Sequence, residues 1–338
     1  MQKASVLILA LWALLFLSIL AILSGSMARQ EILVVKKIEL RNNLYDLASS
    51  GIMVAVDCNA SNKGNSSSDN VYALNESAAD RENFFKDVKL GGGYFSLEYE
   101  YVNNITGLKE KRYGVIDEER KININYASED VLERLFASLC RAEGQDAKLF
   151  ARAVIDWRDE DDNLNNDVKH LSERLDYSSK GYGYAPKNSN FKILEELLLV
   201  KGVSIKEFLK MKGYITVFGS GKVNINTASR QALKALGMGE ELADKIVYFR
   251  CGPDMIEGTW DDNVFLSLQT AVKDLSAYYD LTEEEKAVME GFVSGNLVGI
   301  DSRTFLALCT SRLGDDGARA RVSCVFDKSG RIHYWGYQ

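Results

Sequence analysis

The sequence predicts an α+β protein with one very long N-terminal helix, antiparallel strands toward both ends and a mostly helical middle between them. Three observations carry that prediction. An uncharged apolar run over residues 5 to 24 continues unbroken into a helical pattern that reaches Cys58. Strand-like runs occur near residue 97 and, three in succession, over the C-terminal 36 or so residues. Between them lies a segment that repeats itself, each copy reading as a short extended run, a helix, a turn and a second helix.

The 338 residues suffice for two or three domains with their own cores. With 41 basic and 48 acidic residues the formal charge is −7, which weighs against nucleic acid as a partner. Only two prolines occur, so Gly, Ser and Asn carry the turns.

The first element is "SVLILALWALLFLSILAILS", long enough to cross a bilayer as a helix of about 20 residues. The rival reading is a cleaved secretory signal. Such a signal has a shorter apolar core of about 7–15 residues and a small-residue cleavage site, for which "SGSMARQ" is a poor substitute. Helical spacing then persists through Ile32, Leu33, Val35, Ile38, Leu40, Leu44, Leu47, Ala48 and Ile52. One rod, half of it outside the bilayer, is the expectation. Lys3 on one side and Arg29, Lys36 and Lys37 on the other leave its orientation open.

Residues 59 to 79 are Asn- and Ser-rich and read as a surface loop. In "GGGYFSLEYEYVN", Tyr94, Ser96, Glu98 and Glu100 alternate with Phe95, Leu97, Tyr99 and Tyr101, as a two-faced strand would. "GYITVFGSGK" (213–222) reads as another strand, and the C-terminus as a three-stranded antiparallel meander. A two-residue turn at Asp316-Gly317 would make paired residue numbers sum to 633 and set Cys309 opposite Cys324. A disulfide and two small buried hydrophobes both fit that placement. The five cysteines form no closely spaced pair, which argues against a zinc site.

The repeat matches "KININYASEDVLERL" from Lys121 to "KVNINTASRQALKAL" from Lys222 at an offset of 101. "FARAVIDWR" (150–158) matches "LADKIVYFR" (242–250) at an offset of 92, which assigns nine extra residues to the first copy's inter-helix turn. An Ala-Ser pair opens each first helix as an N-cap. The second copy, "LGMGEELADKI", looks like a helix-hairpin-helix whose Gly-x-Gly turn could present N–H groups to phosphate. Glu240, Glu241 and Asp244 surround that turn, so a membrane-anchored helix-hairpin-helix DNA receptor is the alternative reading rather than the leading one. Neither a Walker loop nor a Rossmann fingerprint occurs, His170 and His333 lie in unlike settings, and no enzyme is predicted.

These parts resemble a pseudopilin, and more specifically the K-type minor pseudopilin of the type II secretion system (the general secretion pathway protein K family). The resemblance rests on "DEERKININYASEDVL" (117–132), "AVIDWRDEDDN" (153–163), "YGYAPKNSNFKILEELLLVKGV" (182–203) and "KVNINTA" (222–228), and runs over nearly the whole chain. The chain departs from the family in two places. Lys3-Ala4-Ser5 stands where a Gly usually precedes the prepilin-peptidase cut, and only Pro186 remains around the Tyr-rich loop. No acidic residue occurs from Ser5 to Gln30, whereas most pseudopilins carry a Glu in the first turn of the mature helix; its absence resembles the K-type member.

The resemblance implies a long helix packed on an antiparallel sheet, with a large insertion of two helix-hairpin-helix/SAM-like repeats. The expected divisions are a leader (1–4), the long helix (5–58, membrane part 5–24), a first α+β part (59–120), a first repeat with an acidic metal loop (121–212), a strand with the second repeat (213–293) and the C-terminal strands (294–338). It implies cleavage between Ala4 and Ser5, methylation of the new N-terminus, and an assembly helix using Leu9, Leu11, Trp12, Leu15, Phe16 and Ile19. The expected protein is a non-enzymatic subunit capping the pseudopilus tip. It starts as a single-pass inner-membrane protein with its bulk in the periplasm. Its expected partners are the I- and J-type minor pseudopilins, the prepilin peptidase and the inner-membrane assembly platform, with no nucleic acid.

The family also implies one or two calcium ions in the acidic run "DWRDEDDN". Asp159, Asp161 and Asn163 have the alternate spacing of a calcium loop, although Leu164 and His170 occupy positions where an EF-hand needs Gly and Glu. Glu173 corresponds to the family's acidic residue before the Tyr loop, and Asp156 either joins the ligands or braces the loop. The opposing expectation is a solvated acidic turn, against which stand Trp157, Tyr177, Tyr182 and Tyr184 flanking the run. A third reading is a tethered, calcium-stabilised adhesion module that prepilin peptidase would not cut.

Overall fold

The computed structural model describes residues 2–61, 78–140, 144–164, 172–259, 261–314 and 317–337, with side chains except at 2–8, 60–61 and 78–81. The processing pair Ala4 and Ser5 therefore has no described side chains, and most of the 59–79 loop, Asp167, His170 and the Asp315-Asp316 turn lie outside the described residues. In chain order the elements are α1 (Gln2–Ser61), α2 (Ala78–Phe85), β1 (Val88–Leu90), β2 (Gly93–Val102), β3 (Lys109–Tyr113), β4 (Val115–Asp117) and β5 (Ile122–Asn123). Then follow α3 (Glu129–Cys140), α4 (Gln145–Arg158), α5 (Glu173–Ser179), α6 (Ile205–Met211), β6 (Ile215–Thr216), β7 (Val223–Asn224), α7 (Arg230–Leu236) and α8 (Glu240–Arg250). The chain closes with α9 (Ala271–Ser276), α10 (Glu283–Ser294), β8 (Val298–Gly299), β9 (Thr304–Leu313), β10 (Arg319–Asp327) and β11 (Ile332–Tyr337).

Helix α1 has two environments. From Leu9 to Leu40 its large apolar side chains are exposed, Leu9 at 71% and Trp12 at 69%. From Leu44 onward it lies on the sheet, where Leu47, Ala48, Ile52 and Ala55 pack with Phe95, Leu97, Cys309, Val322, Cys324 and Phe326. The segment from Leu9 is long and apolar enough to cross a membrane.

The sheet runs β1-β2-β9-β10-β11, with β3 on β2 and β4 on β9, all antiparallel. The two faces read in β2 are the observed ones, Phe95 and Leu97 inward and Tyr94, Ser96 and Glu98 away from α1. The β9–β10 register differs from the expected one. Val322 pairs with Cys309 and Ala307 with Cys324, so paired numbers sum to 631. The connection from Gly314 to Ala318 is longer than a two-residue turn, the two cysteines sit diagonally on one face, and both thiols are free. The 213–222 stretch also differs: only Ile215–Thr216 forms a strand, and it pairs in parallel with β5. Gly219 and Gly221, at φ of +88° and +86°, end it.

Between β4 and β9 the chain builds the repeated unit twice. In each copy a two-residue strand pairs in parallel with a strand at the end of the copy, β5 with β6 and β7 with β8. Asn125 accepts from the Phe191 N–H and donates to the carbonyls of Phe191 and Val217. Asn226 does the same with Phe265 and Ile300. Arg158 donates to the carbonyls of Ile124 and Ala127, and Arg250 to those of Ile225 and Ala228. The matched residues thus make matched contacts. Of the nine extra residues of the first copy, eight lengthen its helices and one falls between them. Helix α3 has 12 residues against 7 in α7, α4 has 14 against 11 in α8, and the turn grows by one.

Candidate metal centre

Helix α4 delivers the acidic run. Its apolar face, Phe150, Ala151, Ala153, Val154 and Trp157, is buried, and the helical period places Asp156 on the buried side too. The helix ends at Asp159, whose N–H donates to the Ile155 carbonyl. The chain returns as α5, where Ser172 caps the helix by accepting from the Leu175 N–H and Glu173 enters the interior at 0% exposure.

Asp156, Asp159 and Glu173 converge, with one carboxylate oxygen from each within 4.8 Å of the others. Both Glu173 oxygens and Asp159 Oδ1 are buried without a hydrogen-bond partner. Burial, then Asp156 and Asp159, pushes Glu173 up to about 9, and burial with Asp161 pushes Asp159 up to about 6. The adjacent cation, Arg158, directs its guanidinium to the Ile124 and Ala127 carbonyls. Three converging carboxylates, with orphaned oxygens on Asp159 and Glu173, form an all-oxygen donor set that suits a hard divalent cation.

Of the residues expected as ligands, Asp156, Asp159 and Glu173 come together. Asp161 and Asn163 lie outside this trio. Asp161 Oδ1 accepts the Asn163 N–H at 2.7 Å, and Asn163 forms a bridge to Ser172, so the pair shapes the loop. Sequence reasoning gave no role to Asp162. It accepts from the Ser172 hydroxyl at 2.7 Å and from the Arg174 N–H at 3.1 Å, tying the two acidic segments together. The N-cap pattern at Ser172 was its only sequence signal. An aromatic wall backs the site: Trp157 has ring contacts with Tyr177, Tyr184 and Phe191 at 6.2–6.3 Å between centroids.

At the other candidate turn, the N–H groups of Gly237 and Met238 donate to the carbonyls of Lys234 and Leu233. Arg134 of α3 donates to the Ala235 and Leu236 carbonyls. The Gly237 and Met238 N–H groups thus cap α7, and the last α7 carbonyls pack the two copies together.

Residues 102–220, which run from the end of β2 through the carboxylate trio to the close of the first copy, match the family described as "Type II secretion system (T2SS), protein K". That stretch is similar to the T2SS protein K family. The fold is also that of a chain in "The Crystal Structure of the GspK-GspI-GspJ complex from enterotoxigenic Escherichia coli Type 2 Secretion System", at a TM-score of 0.61 and 14% identity over 90% of this chain and 99% of that one. No curated protein matches. The family match and the shared fold support a K-type minor pseudopilin, as the sequence resemblance implied.

Proposed function

We propose that this chain is a non-enzymatic minor pseudopilin that assembles with the I- and J-type subunits at the tip of a type II secretion pseudopilus. The observation that carries this reading is the protein K match over residues 102–220. It falls on the segment that holds the repeated insertion's first copy and the carboxylate trio. The solved relative of the same fold comes from a complex of GspK, GspI and GspJ, which supports those partners here. The exposed apolar length of α1, including Leu9, Leu11, Trp12, Leu15, Phe16 and Ile19, serves first as a single-pass inner-membrane anchor and then as the packing surface against neighbouring helices. Cleavage by prepilin peptidase between Ala4 and Ser5, N-methylation and engagement of the inner-membrane platform precede assembly. The two copies act as helix-hairpin-helix/SAM-like units that broaden the head above the helix.

Calcium occupies the trio in this reading, with carbonyl and water oxygens completing its six to eight ligands. The ion supplies positive charge where Asp159 and Glu173 keep oxygens without a hydrogen-bond partner among the described residues. Site-specific photo-cross-linking from Leu11 and Phe16 tests assembly: adducts with the I- and J-type subunits, together with loss of export on deletion of this chain, support the reading. Absence of both adducts sinks it. Metal analysis and calorimetric titration of the purified chain test the ion separately.

A further inference from the structure

The sheet face turned away from α1 carries a groove of about 390 Å³ lined by β2, β3, β9, β10 and the segment after α2. Lys86, Lys111, Arg312 and Arg319 contribute four positive charges to its walls, against Asp87 and Glu98. That local excess stands on a chain of formal charge −7.

The register makes the excess deliberate. Arg312 and Arg319 are direct cross-strand partners between β9 and β10, and Tyr94 on β2 is opposite Arg312 on its other side. Like charges placed opposite each other destabilise a sheet unless something neutralises them. Asp87 accepts from Arg312 Nε at 3.3 Å and Nη2 at 3.2 Å, and Glu98 from Lys111 at 2.9 Å. Among the described residues Arg319 has no ion-pair partner, and nothing there balances the second arginine. The Arg312 guanidinium also lies over the Tyr94 ring at 4.3 Å, and Lys86 over Tyr113 at 5.5 Å, which fixes two flat walls with their cations.

We propose that this groove docks an extended acidic segment of a partner protein, with Asp or Glu carboxylates received by Arg319 and Arg312. An arginine fork pairs with a carboxylate through two parallel hydrogen bonds, and the tyrosine walls accept the peptide backbone and side-chain stems between them. Among the described residues α1 covers the other side of the same strands and the groove stays open on this one. A nucleic acid would require basic residues over a much wider area than these four. The inference stands apart from the metal centre and from the assembly role of α1.

The test uses the full chain in detergent and a fluorescent peptide bearing four glutamates. Its glutamine counterpart and inorganic phosphate serve as comparators, with anisotropy measured from low to physiological salt. Binding of the glutamate peptide is expected to weaken at least tenfold in Arg319→Glu, to survive largely in Arg319→Lys, and to be at least tenfold weaker for the glutamine peptide. Arg319 is exposed, and an unchanged melting temperature in both variants shows that the fold is intact. The proposal is overturned if the native chain does not bind the glutamate peptide, if Arg319→Glu binds it as well as the native chain, or if the glutamine peptide binds equally. Displacement by phosphate at concentrations matching the peptide would also overturn it, because the groove would then be a small-anion site.

Discussion

Glu173 combines complete burial with two carboxylate oxygens that no group among the described residues satisfies. A neutral amide there would relieve repulsion with Asp156 and Asp159 but remove a charged ligand. Glu173→Gln is therefore expected to raise the melting temperature in chelator while lowering calcium affinity at least about tenfold, the loss that even outer-shell partners carry. Calorimetric titration and thermal melts, each with calcium and with chelator, measure both effects. The same group sets a pH dependence. Without a cation its folded value of about 9 lies above the ordinary 4.5, so the folded state holds the proton more tightly than the unfolded chain does. Its stabilising contribution is complete below about pH 4.5 and disappears as pH rises through 9. Chelated protein should melt higher at pH 6 than at pH 9, and saturating calcium should flatten or reverse that trend. A chelated melting temperature that climbs from pH 6 to 9 would contradict the assignment of Glu173 as the raised group.

At the scale of elements, two contacts fix how the parts sit on one another. Helix α1 crosses the sheet at Gly51, where a Cβ would lie 2.4 Å from Cys309 Sγ and 2.7 Å from Phe95 Cδ2. Gly51→Val should cost at least about 2 kcal/mol by overpacking, read from chemical denaturation. The second contact ties the later repeat to β2. Arg250 donates to Glu257 at 3.0 Å, Glu257 accepts from the Tyr101 hydroxyl and from Asn104 at 2.9 Å, and Arg250 and Glu257 are both nearly inaccessible. Removing one member of a buried ion pair leaves the other charged and unpaired. Glu257→Ala should therefore lose about 3–5 kcal/mol, and a paired Arg250→Met/Glu257→Leu change considerably less.

The whole molecule places one unit twice and stabilises the two placements differently. Arg158 and Arg250 hold equivalent carbonyls, yet among the described residues only Arg250 goes on to form an ion pair, while the first copy gathers three carboxylates nearby. Tyr248 and Cys251 stand in the second copy where Asp156 and Asp159 stand in the first. The first copy should then depend on a cation and the second on its ion pair. Hydrogen exchange in chelator should accelerate over residues 154–164 and 172–203 and stay slow over 222–250. Uniform acceleration across both copies would show that the cation stabilises the insertion as one body.

Much of this was written in local pattern. The continuous apolar run and the helical spacing after it determine α1, because a period of 3.6 residues is a property of neighbours along the chain. Alternation in "YFSLEYEY" sets which side of β2 is buried, and the matched Asn, Ala-Ser and Arg positions declare the duplication. The family motifs pointed to the acidic run for the same reason, since its residues are close in sequence. Tertiary structure alone decided the rest. Whether Cys309 faces Cys324 depends on where the connection between β9 and β10 is centred, one residue earlier than Asp316-Gly317, which residue types did not reveal. Which of the crowded acids converge depends on α5 returning Glu173 to the end of α4, a separation of 17 residues from Asp156. The pairing of Arg312 with Arg319 and of Tyr101 with Glu257 is likewise invisible along the chain. Charges distant in sequence repel or pair only after folding brings them within a few ångströms, because water screens them until then.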